Sequence, residues 1–117
     1  MARPSIIQHE PKPLPDAELT ARLFRTLGEA TRLRIIDFLL DSGPQPQKAI
    51  VEQVGLSQGQ VSQHLSCLVW CGFVRSTKKG RETHYEIASP RVTALVDMGH
   101  GFLNATDGDI TTCRISA

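Results

Sequence analysis

Two short helical patterns joined by a glycine turn constrain the fold of this chain more than any other feature. Residues 48–54 place apolar side chains at helical spacing, and Gly55 ends that pattern. Ser57 is then a favourable N-cap for a second helix, in which apolar residues recur at i, i+4 and i+7 from Val61. Two helices joined by a turn of about three to four residues that contains glycine form a helix-turn-helix. The sequence therefore predicts this motif at residues 48–68.

The segment after the second helix changes from helical to alternating periodicity. Residues 73–77 and 83–87 are rich in β-branched and aromatic side chains, which predicts a β-hairpin. Its predicted tip is cationic and turn-forming, and it consists of Lys78, Lys79, Gly80 and Arg81. A cationic hairpin beside a helix-turn-helix is expected to act as a wing that lies against DNA phosphates.

The segments before the motif supply an arm and a scaffold. Four prolines in residues 1–15 disfavour helix, so we expect a flexible N-terminal arm there. Asp16 can cap a first helix with one leucine stripe, formed by Leu19, Leu23 and Leu27. A second scaffold helix fits residues 29–40. We therefore predict a mainly α domain with a β-hairpin (α+β), a winged helix-turn-helix, over residues 16–105.

A last helix is predicted from Pro90 onward, and a tail at residues 106–117 follows the domain. This helix carries more apolar surface than the terminal helix of a small monomer needs. The apolar residues are Val92, Leu95, Val96, Met98, Phe102 and Leu103. We therefore expect a homodimer that uses this helix in its interface.

Charge and composition limit the classes of function that the chain can have. The 13 basic and 12 acidic residues nearly balance, so net charge alone does not indicate nucleic acid, but residues 57–91 hold five basic residues against two acidic ones. The sequence has no apolar run long enough for a membrane span and no apolar core of a secretory signal, so we expect a cytoplasmic protein without membrane contact. It shows no nucleophile and base pair, phosphate loop or metallohydrolase motif, so we expect no enzyme.

The polar face of the second helix, the recognition helix, suits contacts in the major groove of DNA. Gln can pair with adenine, and Ser can bind a phosphate or a base. A solvated helix face is the alternative for this feature alone, but the wing and the preceding helix favour double-stranded DNA as the partner. The predicted DNA contacts are Lys48, Ser57, Gln58, Gln60, Ser62, Gln63, His64, Lys78, Lys79 and Arg81.

Two cysteines on the recognition helix form a candidate metal site. Cys67 and Cys71 are stacked neighbours on one helix flank, at roughly 80° to 120° from Val61 on the core side. A cysteine kept only as a small buried apolar group would be expected on the core side instead. Cys113, in the tail, is the third candidate ligand. Three thiolates favour a soft divalent ion, namely Cd(II), Pb(II) or Hg(II), over Zn(II), which would need a fourth ligand.

Three stretches of the sequence resemble one family of regulators: LGEATRLRII at residues 27–36, GQVSQHLSCL at 59–68 and GRETHYEI at 80–87. Over about residues 16–103 the chain resembles the ArsR/SmtB family of metal-responsive winged-helix repressors. The stretch HLSCLVWCG at 64–72 is similar to the CmtR branch of cadmium and lead sensors, which have two cysteines on the recognition helix and one in the tail.

This resemblance implies a repressor that binds operator DNA in its metal-free form and dissociates when metal binds. The ligands that it implies are Cys67, Cys71 and Cys113. Mercury-responsive repressors also occur in the family, so the resemblance leaves the ion open. Residues 48–52 lack the cysteine pair of the arsenic-type sensors, so arsenite sensing at that position is not expected.

Two other functions stay open on the sequence. A thiol redox-responsive repressor would oxidise Cys67 and Cys71, although a disulfide between residues i and i+4 would strain the helix. In the second alternative the cysteines are structural, and the chain is a metal-independent DNA-binding regulator.

Overall fold

The computed structural model describes residues 16–106 and residue 110, and this part of the chain contains five α-helices and a three-stranded antiparallel sheet. The elements are α1 (Ala17–Leu27), α2 (Ala30–Ser42), β1 (Gln45–Pro46), α3 (Gln47–Val54), α4 (Gln58–Trp70), β2 (Val74–Lys79), β3 (Glu82–Ile87) and α5 (Pro90–Thr106). This order confirms the predicted winged helix-turn-helix class, with α3 and α4 as the helix pair. The predicted arm (1–15) and most of the predicted tail lie outside the described residues, so the division into arm, domain and tail stays a prediction.

Side-chain caps fix where the helices begin, as the sequence predicts. The Asp16 carboxylate accepts a hydrogen bond from the Leu19 amide at 3.0 Å, which starts α1. At α4, the Ser57 hydroxyl accepts from the Gln60 amide, and the Gln60 side chain accepts in return from the Ser57 amide. Gly55 ends α3 with φ at 74°, a left-handed conformation that glycine adopts without strain. The turn between the two helices is therefore set by local chemistry.

The core forms where α4 packs against α2, α3 and β2. Val61, Leu65 and Leu68 are the predicted core face of α4, and their exposed fractions are 0%, 1% and 0%. The other buried apolar residues are Leu27, Ile35, Ile36, Leu39, Ile50, Phe73, Val74, Val92 and Val96. Burial of one face of α4 leaves its remaining surface to solvent, which is what a recognition helix requires.

The hairpin strands are longer than the sequence predicts. β2 continues through Lys79 and β3 begins at Glu82, so only Gly80 and Arg81 form the turn. Lys78 and Lys79, which were predicted at the tip, therefore lie on a strand. A two-residue turn matches the right-handed twist of its strands, and Gly80 supplies the positive φ, 64°, that such a turn uses.

The sequence does not predict the third strand. β1 pairs antiparallel with β3, and Gln45 lies opposite Tyr85 and Pro46 opposite His84. Two residues are too few to display alternation, and proline is normally depleted in strands, so no pattern marks β1. The pairing attaches the wing directly to the segment that begins α3.

The leucine stripe of α1 is only partly covered by its own chain. Leu27 is buried, but Leu19, Leu23 and the neighbouring Phe24 are exposed. The sequence predicts a scaffold helix with one leucine stripe, and the structure has that helix with only Leu27 of the stripe buried in the core. On α5 the exposed apolar residues are Met98, Phe102 and Leu103. None of the described helices is both long and apolar enough to cross a membrane.

Candidate nucleic-acid interface and thiol site

The solvent-facing surface of α4 carries several of the side chains predicted to bind DNA. Gln58, Ser62 and Gln63 are exposed, while Val61 and Leu65 anchor the helix from its other side. The amides and the hydroxyl can donate to and accept from base edges and phosphates. The N-terminal part of the helix is the part that reaches base edges in this class of motif.

One shallow groove brings together predicted contacts from three elements. Lys48 of α3, Gln58 at the start of α4 and Arg81 of the wing turn all line it, together with Glu82 and Thr83 of β3. These residues are far apart in the sequence, and the pairing of β1 with β3 places the wing beside the helix pair. Two cations and one amide that converge on one groove suit a DNA backbone, because phosphates accept hydrogen bonds from all three.

The wing presents cations that are not neutralised within the described part of the chain. Lys78, Lys79 and Arg81 are exposed, and no described carboxylate forms an ion pair with them. Arg75, on the same strand, differs because its guanidinium lies 3.1 Å from the carboxylate of Glu86. Lys78, Lys79 and Arg81 therefore attract an anion more strongly than the paired Arg75 does.

Two of the predicted DNA contacts also hold the start of α4. The Ser57 hydroxyl accepts from the Gln60 amide at 3.1 Å, and Gln60 Oε1 accepts from the Ser57 amide at 3.2 Å. These bonds satisfy backbone donors at the helix start, which would otherwise need water or DNA. To contact DNA, either side chain has to bind it while keeping its capping hydrogen bond or give that bond up. DNA contacts by Ser57 and Gln60 stay predictions.

His64 is turned partly toward the protein interior. It is half-buried, and its Nδ1 accepts a hydrogen bond from Arg32 Nε at 3.2 Å. A neutral imidazole that accepts at Nδ1 carries its hydrogen on Nε2, so only Nε2 can donate to another group. The same Arg32 donates from Nη1 to the Thr26 carbonyl at 3.1 Å. His64 thus links α4 through α2 to α1, and its predicted role in DNA binding is limited to one ring nitrogen.

The two cysteines of α4 lie off the core, as the helical projection predicts. Both thiols are free, with Cys67 half-buried and Cys71 exposed. Cys67 lies on α4 and Cys71 caps its end, where the Cys71 backbone N–H donates to the Cys67 carbonyl at 2.9 Å. Burial raises the pKa of the Cys67 thiol above its usual value. The Arg32 cation lowers this pKa, whereas the neighbouring Cys71 side chain raises it further. Cys67 is therefore a neutral thiol near pH 7 and has to release a proton to become a metal ligand.

The donor set of this pair fits a soft metal ion. Thiolate sulfurs select soft ions, whereas hard ions prefer carboxylate and carbonyl oxygens. Within residues 16–106 and at 110, no three His, Cys, Asp or Glu side chains lie close enough together to hold a metal. The described part of the site thus supplies two thiols. Cys113, the predicted third ligand, lies outside the described residues, so its role stays a prediction.

Two residues next to the cysteine pair were not identified from the sequence. Thr26 Oγ1 lies 3.9 Å from Cys71 Sγ, and the charge of Arg32 acts on Cys67. Arg32 belongs to the stretch at 27–36 that carries the family resemblance, but nothing in its pattern assigns it a role. Trp70, the single tryptophan of the chain, is 90% exposed beside Cys71, which makes it a natural optical reporter of this site.

The architecture described above is that of a winged helix-turn-helix DNA-binding protein. The profile of the arsR family of bacterial regulatory proteins matches residues 29–76, from α2 into β2. The chain is also 31% identical over 79 residues to the HTH-type transcriptional regulator Rv0081 of Mycobacterium tuberculosis, covering 68% of this chain and 69% of that protein. The crystal structure of Rv0081 superposes with a TM-score of 0.75 at 27% identity and covers 81% of this chain and 95% of that one. The chain belongs to the ArsR family, whose members are DNA-binding regulators and not enzymes.

Two relatives are more similar in sequence over shorter fractions of their own length. The probable mercury resistance operon repressor of Streptomyces lividans is 43% identical over 84 residues, which are 72% of this chain and 66% of the repressor. The HTH-type transcriptional regulator CmtR of Mycobacterium tuberculosis is 44% identical over 68 residues, which are 58% of this chain and 57% of CmtR. This chain thus spans less than two thirds of each relative, 66% of the first and 57% of the second.

Proposed function

We propose that this ArsR-family regulator is a metal-responsive repressor in the cytoplasm. It binds double-stranded operator DNA in its metal-free form and releases it when Hg(II), Cd(II) or Pb(II) binds Cys67, Cys71 and Cys113. The observation that carries the proposal is the position of two free thiols, Cys67 on α4 and Cys71 at its C-cap, on the helix that also carries Gln58. The name of the Streptomyces lividans relative, a mercury resistance operon repressor, supports a soft-metal inducer.

Charge on the recognition helix gives a physical reason for release. The raised pKa of Cys67 keeps this thiol neutral in the metal-free protein, and a thiol loses its proton on becoming a ligand. Three thiolates around one divalent ion leave a net negative charge on a helix that faces phosphates, and this charge opposes DNA binding. Allosteric coupling is typically about 1 to 3 kcal/mol, or roughly 5- to 150-fold in affinity.

The second partner in this proposal is another copy of the chain. The exposed apolar residues of α1 and α5 would be covered in a homodimer, which removes an otherwise costly patch from water. A two-fold dimer would place two copies of α4 in successive major grooves, about 34 to 36 Å apart, on an inverted repeat.

The proposal is tested with wild-type protein and a duplex selected from a random pool by the metal-free chain. Anisotropy of the labelled duplex reports DNA affinity, and Trp70 fluorescence with thiolate-to-metal absorption reports metal saturation. We expect at least one of Hg(II), Cd(II) and Pb(II) to weaken DNA binding by tenfold or more. If all three ions saturate the thiols and the affinity is unchanged, the chain is not a metal-responsive repressor. Release by peroxide without metal would instead support the redox alternative.

Removing the wing cations should flatten the salt dependence of DNA binding. Each phosphate contact contributes about 0.9 to the log–log slope, so a triple alanine variant of Lys78, Lys79 and Arg81 should reduce the slope by up to about 2.7. The matched control is the double variant Arg75→Gln with Glu86→Gln, which removes an ion pair from the same hairpin without changing its net charge. Equal slopes for wild type and the triple variant would exclude the wing from the interface.

A further inference from the structure

Gln47, the first residue of α3, lines the same shallow groove as Lys48, Gln58 and Arg81. It is half-buried, and its Oε1 accepts a hydrogen bond from the Tyr85 hydroxyl of β3 at 3.3 Å. Burial raises the pKa of Tyr85, so this hydroxyl keeps its hydrogen near pH 7 and remains the donor. The wing therefore occupies the acceptor end of the Gln47 amide and leaves the NH₂ end for another partner.

The NH₂ end of Gln47 has no acceptor among residues 16–106 and 110. A primary amide carries two hydrogens on its nitrogen, and the hydrogen bond of this side chain to Tyr85 uses only its oxygen. Within the same described residues, His84 Nδ1 is the only buried side-chain nitrogen or oxygen without a partner, so Gln47 Nε2 is reached by solvent. The amide thus has a fixed acceptor end and an accessible donor end, which suits an acceptor that comes from another molecule.

We propose that Gln47 donates from Nε2 to a backbone phosphate of operator DNA and that Tyr85 positions it; this inference rests on the DNA binding in the proposed function. Phosphate oxygens accept hydrogen bonds, so they suit the donor end of the amide and not its oxygen. Lys48 and Arg81 bring two positive charges to the groove, against one carboxylate, that of Glu82. The groove therefore has a net positive charge and an uncharged donor, and both favour an anion with several acceptor oxygens.

The hydrogen bond between Tyr85 and Gln47 also reinforces a short link between the wing and α3. β1 pairs with β3 through two residues, and one of them, Pro46, has no backbone N–H. Gln45 is therefore the one residue of β1 that can donate a backbone hydrogen bond to the wing. Without the Tyr85 hydroxyl the Gln47 side chain gains rotamer freedom, and ordering it again on DNA costs binding free energy.

Gln47→Lys tests whether this position faces a phosphate, because it adds a charge and keeps a donor. With metal-free protein and the selected duplex, we expect the log–log dependence of DNA affinity on salt to become steeper by about 0.9, the contribution of one phosphate contact. Gln53→Lys makes the same change at an exposed position of α3 outside the groove and should leave the slope unchanged. Equal slopes for wild type and Gln47→Lys would overturn the inference.

Gln47→Glu separates the two ends of the amide. The carboxylate still accepts from the Tyr85 hydroxyl but cannot donate, so the affinity for DNA should fall by at least about tenfold. Gln53→Glu adds the same charge to the same helix and should stay within about twofold of wild type. Wild-type affinity in Gln47→Glu would show that Nε2 makes no contact with DNA.

A double-mutant cycle tests whether Tyr85 acts through Gln47. Tyr85→Phe removes only the hydroxyl and should weaken DNA binding about fivefold. In a Gln47→Ala background the same change should have no further effect, because the partner of the hydroxyl is already gone. An equal loss in both backgrounds would overturn the positioning role of Tyr85. If wild type binds no duplex, the proposed function and the inference fail together, whereas loss of the metal response alone would contradict only the proposed function.

Discussion

Replacing Cys67 with serine should make DNA binding insensitive to metal. The serine hydroxyl is close in size to the thiol but is a poor ligand for soft ions, so the half-buried position keeps its packing and loses its donor. Loss of an outer hydrogen-bond partner of a metal ligand already costs about 10- to 100-fold in metal affinity, so loss of a ligand itself should cost at least about 100-fold. The thiolate-to-metal absorption band and the anisotropy of labelled DNA, titrated together, measure both effects.

Three comparisons make this result specific. Cys71→Ser should behave in the same way, because the two thiols form one pair. Cys113→Ser tests whether the tail supplies a ligand, and an unchanged metal affinity there would restrict the site to two sulfurs. Mg(II), a hard ion, should release no DNA from wild type. A Cys67→Ser variant that still releases DNA at wild-type metal concentrations would show that the cysteines are structural.

The parts of this fold that the sequence predicts are those set by short-range chemistry. Ser57 caps α4 because its hydroxyl reaches an amide three residues later, and the apolar spacing from Val61 follows from the helical repeat. The position of Cys67 and Cys71 on one flank follows from the same repeat. Each of these features depends on residues within one or two helical turns, so one sequence is enough to predict them.

The remaining features depend on residues that are far apart in the chain. Arg32 and His64 are 32 positions apart, and Thr26 and Cys71 are 45 apart, so neither contact leaves a local pattern. β1 pairs with a strand about forty residues later, and its two residues are too few to mark it. Prediction of these contacts requires the packing of α1 and α2 against α4, which the helical pattern of each element alone does not determine.

The α1 stripe shows a different limit of sequence patterns. The spacing of Leu19, Leu23 and Leu27 correctly predicts one apolar face on a helix, but it does not say which surface covers that face. In the described chain Leu27 meets the core, whereas the other two leucines stay exposed. A stripe that contacts a second copy and a stripe buried in its own chain have the same periodicity.

Leu65→Ala should destabilise the fold by about 2 to 5 kcal/mol. Leu65 is 1% exposed and lies in the middle of the buried face of α4, between Val61 and Leu68. Removal of its side chain leaves a cavity that neighbouring groups fill only in part, and this adds to the lost transfer free energy. Domains of this size are typically stable by about 5 to 15 kcal/mol, so the loss is a large fraction of the whole.

Because α4 carries both the DNA-binding side chains and the thiol pair, this loss should weaken DNA binding and metal response together. Urea unfolding followed by circular dichroism, at one fixed protein concentration, gives the free energy of unfolding for each variant. Ser66→Ala, an exposed change at the next position, should stay within about 0.5 kcal/mol of wild type. If Leu65→Ala lowers the free energy of unfolding by less than about 1 kcal/mol, packing of Leu65 in the core is not what holds α4 in place.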